Sequence, residues 1–269
     1  MDSGQLKRAV FALLLLFAVH CALSTDLNIG VAGVEQGNRG GNTNYKVELL
    51  GYSVQGRPIR ATVWNENNGK PILIMCAMHG DERNAVLLGK GLDEEWKKRP
   101  EMLEGVYVIL ISMVNPDGIE RQTRVNGNGV DLNRNFPIKW KPSAPINDNY
   151  GGKKPLSEPE SRILADLLQK RTPSGIISVH NRRHVEGEPL NIYDGSPIAL
   201  AIANTMKKYN NYKVSRGIGY PVPGSFFSYA RRKDVIFNTL EMSDEGDFEK
   251  AIWPANSKAI LAALLFRRR

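Results

Sequence analysis

An apolar run at 71–78 ends directly in His79-Gly80-Asp81-Glu82, so an imidazole and a carboxylate stand three residues apart where an extended segment becomes a loop. A second apolar run, 175–179, delivers His180 in the same way, and His184 follows in a polar stretch. Nitrogen and oxygen donors converging from two strand ends are the ligand types of a catalytic zinc site. Such a site commonly uses two histidines and one glutamate and leaves one position for water. The residues therefore predict one Zn²⁺ per chain on His79, Glu82 and His180, with His184 as a surface or neighbouring residue.

Ligands of this kind need rigid elements behind them. Apolar, β-rich runs at 59–64, 72–77, 106–113, 176–179 and 235–240 read as strands. Between them, 84–98 carries Leu87, Leu88, Leu92 and Trp96 near helical spacing. Ser157-Glu158-Pro159-Glu160 reads as a capping box opening a helix with Ile163, Leu164, Leu167 and Leu168 on one face. Segments 197–209 and 256–266 look similar. Strands alternating with helices predict an α/β fold with a largely parallel sheet covered on both faces, and such sheets place ligand groups at the carboxyl ends of their strands.

The chain has 269 residues, 42% hydrophobic and 24% charged, which suits one domain with a sizeable core. Lys7 and Arg8 precede an apolar stretch that ends in Cys-Ala-Leu-Ser, the layout of a cleavable secretory signal over 1–24. The stretch is about eleven residues, too short for a span of roughly twenty. The Gly- and Asn-rich segment 25–44 reads as a flexible leader into a catalytic domain at 45–269, with no room for a folded inhibitory segment. The expectation is a secreted, extracellular protein (periplasmic if bacterial), active without trimming and without stable membrane association once the signal is removed. Cys76 is then the one remaining cysteine, so stability must come from packing. The net charge of +8 is spread in clusters without interleaved aromatics, which argues against nucleic acid as a partner.

Four motifs in order, His79-Gly-Asp-Glu82, Asn115-Pro-Asp-Gly118, Gly129-Val-Asp-Leu-Asn-Arg-Asn-Phe-Pro137 and Asn238-Thr-Leu-Glu241, resemble those of the zinc metallocarboxypeptidases. Ser53-Val-Gln-Gly-Arg-Pro-Ile59 and Gly219-Tyr-Pro-Val-Pro-Gly-Ser225 look like the versions found in the murein peptide amidase branch. The resemblance runs from about Tyr45 to the C-terminus. It implies a three-layer α/β/α sandwich on a mixed, largely parallel sheet, one zinc, and hydrolysis of an amide bond.

Amide hydrolysis on zinc calls for a base that returns the water's proton to the leaving amine, and for donors to the tetrahedral oxyanion. By resemblance, Glu241 is that base and Arg121 the oxyanion arginine, with Arg124 as the alternative. Asn133 and Arg134 resemble the pair that holds a terminal carboxylate, a task suited to a guanidinium fork. Asp131, Asn135, Phe136 and Pro137 shape that loop. The substrate-facing tyrosine aligns near Tyr220 with a one-residue slip, and the position facing the specificity pocket reads Phe226.

The implied partner is a peptide or muropeptide with a free carboxylate, most simply one with a γ-D-glutamyl–diamino acid bond. One of Arg182 and Arg183 would then bind the spare α-carboxylate. The competing readings are a carboxypeptidase for ordinary α-linked peptides, a deacylase of N-acyl amino acids and a non-catalytic binding protein.

Overall fold

The computed structural model describes residues 36–38, 44–142, 148–182 and 187–266. The expected signal, Arg183 and His184 lie outside them. Nine strands form one sheet: β1 (Gln36–Asn38), β2 (Asn44–Tyr52), β3 (Pro58–Trp64), β4 (Ile72–Cys76), β5 (Val108–Ile111), β6 (Gly175–Arg182), β7 (Leu190–Tyr193), β8 (Lys213–Ser215) and β9 (Ile236–Ser243). Among the described residues, six α-helices accompany it, besides short 3-10 and π turns: α1 (Arg83–Lys98), α2 (Pro116–Arg121), α3 (Pro159–Arg171), α4 (Pro197–Asn210), α5 (Phe226–Ala230) and α6 (Trp253–Phe266).

The strand order is β1-β2-β3-β5-β4-β6-β9-β7-β8. Strands β5, β4, β6 and β9 run parallel at the centre, while β1, β2 and β3 on one side and β7 on the other pair antiparallel. The mixed three-layer architecture expected from the resemblance is present. After β4 the chain goes to one side for β5 and returns past it for β6. That reversal opens a crevice at the strands' carboxyl ends, where open α/β sheets bind ligands.

Side-chain alternation builds two cores. From β4, Ile72, Ile74 and Cys76 enter one cluster with Leu88, Leu92 and Trp96 of α1 and Ile260 of α6. Leu73 and Met75 enter the other, with Leu164 and Leu168 of α3 and Phe226 of α5. Trp64 and Trp96 meet edge-to-face with centroids 5.5 Å apart, a geometry that adds about 0.5–1.5 kcal/mol to their burial. Truncating Ile74, which is fully buried, should cost about 2–5 kcal/mol. Burial also pushes the Cys76 thiol up, so it behaves as a core residue and not as a nucleophile.

Two local expectations are corrected. Gln36–Asn38 lies in the expected leader yet pairs antiparallel with β2. The capping box does not form: Glu158 is the cap residue of α3 and makes no side-chain cap bond. Ser157 Oγ instead donates to Glu158 Oε1 at 2.6 Å, and Glu160 reaches across to Asn126. Buried carboxylates here recruit donors from a distant loop in preference to their own helix end.

Candidate metal centre and substrate cleft

Strand β4 stops at Cys76, and Ala77 takes a left-handed φ of +54°, a conformation that costs an alanine about 1–2 kcal/mol. The kink is held by Val114 N–H donating to Cys76 O and Asn115 N–H donating to Ala77 O, both at 3.1 Å. It turns His79 into the crevice. Gly80 then passes so close to Gly118 that a Cβ on it would stand 1.9 Å from the Gly118 carbonyl carbon. Glu82 follows as the residue capping α1.

On the neighbouring strands, His180 of β6 and Glu241 of β9 are register partners, so their side chains share one face of the sheet. His79, Glu82, His180 and Glu241 are all buried. One donor atom from each of His79, Glu82 and His180 lies within 4.8 Å of the others.

The orientation of the rings fits a metal. His79 Nδ1 is 2.6 Å from Glu82 Oε1 and His180 Nδ1 is 3.1 Å from Glu82 Oε2. Each outer nitrogen has its own partner: His79 Nε2 lies 3.2 Å from Asp131 Oδ1, and His180 Nε2 lies 3.0 Å from Ser178 Oγ. With Nε2–H donated outward, both Nδ1 lone pairs face the carboxylate, as in metal sites whose histidines are oriented by an outer partner. Burial alone would lower the His79 pKa, but the Glu82 and Asp131 carboxylates outweigh it and raise it to about 9. Burial likewise opposes the Glu82 anion, yet the two histidines hold it well below the usual carboxylate range. A dication in place of those protons satisfies the same electrostatics.

Burial raises Glu241 to about 7; the Glu82 charge adds to this and His180 opposes it. That is the range in which a carboxylate both accepts and returns a proton near neutrality.

The arginines separate clearly. Arg121 is exposed at the end of α2, where its Nη2 donates to the Asn126 carbonyl. Arg124 enters the crevice: Nε donates to Asp131 Oδ2 at 3.1 Å and Nη1 stands 3.3 Å from His79 Nδ1. The expectation that Arg121 faces the chemistry is therefore corrected in favour of Arg124. The helical turn of α2 ends in a left-handed Gln122, and this swings the next three residues back toward the metal site.

Asn133 Oδ1 accepts from Phe226 N–H at 3.0 Å, which leaves its amide N–H groups for a ligand. Arg134 Nη1 is 3.7 Å from Asp131 Oδ2, and its Nη2 donates to Asn149 Oδ1 at 3.3 Å. Gly224, at φ +68°, lies where a Cβ would come within 2.2 Å of the Arg134 carbonyl oxygen, so the 219–225 loop packs directly against the loop carrying Arg134. Tyr220 is 51% exposed on that loop. It lines one open cleft with His79, Glu82, Arg124, Asn133, Arg134, His180 and Glu241.

The sequence singled out every polar group on that cleft wall except Asp81, Asp148, Asn149, Asn181 and Asp244. It also gave Asp131 only a loop-shaping role. Asp131 is fully buried and binds His79, Arg124 and Arg134 together. Ser178 was missed although period-two spacing from His180 would have found it.

The zinc carboxypeptidase family model matches residues 41–260. The chain belongs to the zinc carboxypeptidase family. Murein peptide amidase A of Escherichia coli K12 is 31% identical over 213 residues, covering 75% of this chain and 81% of that protein. The γ-D-glutamyl-L-diamino acid endopeptidase 1 of Lysinibacillus sphaericus is 30% identical over 158 residues, covering 46% of this chain and 37% of its own length. The crystal structure of murein-tripeptide amidase from E. coli O157 superposes with a TM-score of 0.62 at 24% identity, over 82% of this chain and 91% of that one. This zinc carboxypeptidase is thus a hydrolase, and zinc is the metal that its His-Glu-His cluster fits.

Proposed function

We propose that this zinc carboxypeptidase hydrolyses the amide bond joining a terminal residue, with a free carboxylate, to the rest of a peptide. The observation that carries the reading is the shared wall of the cleft, where Asn133 and Arg134 stand beside Arg124, the histidines and Glu241. A guanidinium and an amide offer a fork of donors to a carboxylate. Arg124, whose Nε and Nη2 are fixed by Asp131, keeps Nη1 beside the metal-site histidine His79, where it would donate to the oxygen that becomes anionic during attack. Glu241 takes the proton of the attacking water and passes it to the leaving amine. Zinc, when bound, supplies the Lewis acidity that polarises the carbonyl and acidifies water.

Similarity to murein peptide amidase A and to the γ-D-glutamyl-L-diamino acid endopeptidase supports a γ-D-glutamyl–diamino acid bond as the substrate. Arg182 shares the face of β6 with His180 but lines a neighbouring groove with Glu188 and Lys213. It meets the spare α-carboxylate only if the substrate extends that way. A second reading, an ordinary α-linked peptide, is favoured by the uncharged lining of the cavity below the zinc ligands.

Matched α- and γ-glutamyl peptides, each also with an amidated C-terminus, separate these readings by mass spectrometry. Cleavage must vanish on amidation. Cleavage that survives it contradicts the carboxylate-directed mechanism. We further propose export, tested by N-terminal sequencing of protein from the medium or periplasm, which should begin at Thr25.

A further inference from the structure

We infer that Asn181 is a positioning residue for the zinc ligand Glu82: it takes over the capping of α1, so that the Glu82 carboxylate is kept for the metal. The inference concerns the metal centre alone and holds whichever amide bond is cleaved.

Two demands compete for Glu82. It is the cap residue of α1, the place from which a side chain normally accepts a backbone N–H two or three positions on. An anion there is also drawn back by the positive end of the helix dipole. Yet the Glu82 side chain makes no cap bond. Both carboxylate oxygens turn to the rings instead, Oε1 to His79 and Oε2 to His180.

The missing acceptor comes from the neighbouring strand. Ala85, three residues after the cap, donates its N–H to Asn181 Oδ1 at 2.8 Å, closer than the 3.1 Å to the Glu82 carbonyl that it also faces. Asn181 directly follows His180 on β6. Consecutive residues of one strand thus hold the start of α1 twice, the imidazole at the carboxylate and the amide at the backbone. With Asn181 in place the Ala85 N–H is satisfied; without it, that N–H becomes an alternative to zinc for the Glu82 side chain. The effect is confined to this one ligand.

A second tie at the same end of α1 serves as the control. Asn84 Nδ2 donates to Ser243 O at 2.9 Å, which fastens the helix to β9. It takes no N–H of the helix's first turn, so it gives Glu82 no competing donor when removed.

The test measures zinc affinity of the full chain by competition with a chromogenic chelator, and thermal melting once the metal is removed. Asn181→Ala should weaken zinc by about 10–100-fold, the usual effect of losing a group that orients a ligand. Asn181→Asp keeps the acceptor oxygen and should hold zinc no worse than about threefold below the parent. Asn84→Ala should lower the melting temperature by a few degrees with zinc affinity within about threefold. Should Asn181→Ala not fold, Asn181→Gln, which displaces the amide oxygen by one methylene, should show the same weakening. Unchanged zinc affinity in Asn181→Ala or Asn181→Gln overturns the inference. So does an Asn181→Asp variant as weak as the alanine one, or an equal loss in Asn84→Ala, which would make any tether of α1 sufficient. None of these readouts involves a peptide, so their failure leaves the proposed hydrolysis standing.

Discussion

Two regions deliver groups to the same cleft by different physics. His180 and Glu241 are set by sheet register, adjacent on parallel strands whose backbone ladders fix their height and face. Arg124, Asn133 and Arg134 sit on the 122–136 stretch, which belongs to no strand and is held by buried carboxylates. Asp131 grips His79, Arg124 and Arg134. Glu158 and Glu160 hold Asn126. Asp117 holds Ser53, the Gln55 N–H and Arg57. A sheet positions by many weak repeated bonds, whereas a carboxylate hub positions by a few strong ones. Loss of one hub should therefore disturb several functional groups together, and loss of one strand side chain only its own.

The largest effect tests the strand side. Glu241→Gln should lower kcat by about 10²–10⁴-fold, the usual contribution of a general base, with zinc content unchanged on metal analysis. Loss of zinc in that variant would make Glu241 a ligand and erase its distinction from Glu82. On the loop side, Arg124→Ala should lower kcat by about 10²–10³-fold, as removal of an oxyanion donor does. Arg121→Ala should stay within about threefold, because an exposed side chain away from the cleft rarely matters by more than ~0.5 kcal/mol. Reversal of that order would sink the assignment made from Arg124's contact with His79.

This difference also explains what could be read before folding. The strands behind the zinc ligands announce themselves as apolar runs that end in polar residues, so His79, Glu82, His180 and Glu241 were legible from pattern and motif together. Arg121 and Arg124 were not separable, because a left-handed Gln122 decides which one turns inward and nothing in the composition of 119–124 marks it. Strands β7 and β8 are short, four and three residues, and too brief for a periodic pattern to stand out. The expected capping box failed for a related reason: Glu158 and Glu160 are spent on Asn126, a partner more than thirty residues away in sequence.

Asp131→Asn probes the hub nearest the metal. The variant removes the charge that orients His79 and offsets Arg124 and Arg134. Zinc affinity should weaken by about 10–100-fold, the usual effect of losing a ligand's outer partner, as read by competition with a chromogenic chelator. Both kcat and KM should worsen, since two substrate-facing arginines lose their anchor. A change confined to zinc affinity would mean that the loop holds its shape without Asp131, and that no carboxylate hub positions the arginines.

The smallest effect belongs to Glu160, fully buried at the start of α3 and far from the chemistry. Its carboxylate accepts from Val54 N–H at 3.2 Å and from Asn126 Nδ2 at 3.0 Å. Burial raises its pKa, and the neighbouring Glu158 adds to the rise. A carboxyl group raised on folding contributes stability that is fully present below its unfolded pKa and is lost as pH climbs through the folded one. Glu160→Gln keeps an acceptor oxygen, removes the buried charge and gains donors toward Glu158. At neutral pH the variant should therefore melt within a few degrees of the parent or above it, a difference of about 1 kcal/mol or less. Its advantage should shrink as pH falls toward the ordinary glutamate range. A variant markedly less stable at pH 7 than at pH 4 relative to the parent would show that the Glu160 anion is an asset, and that the hubs hold the loop by charge and not by hydrogen bonding alone.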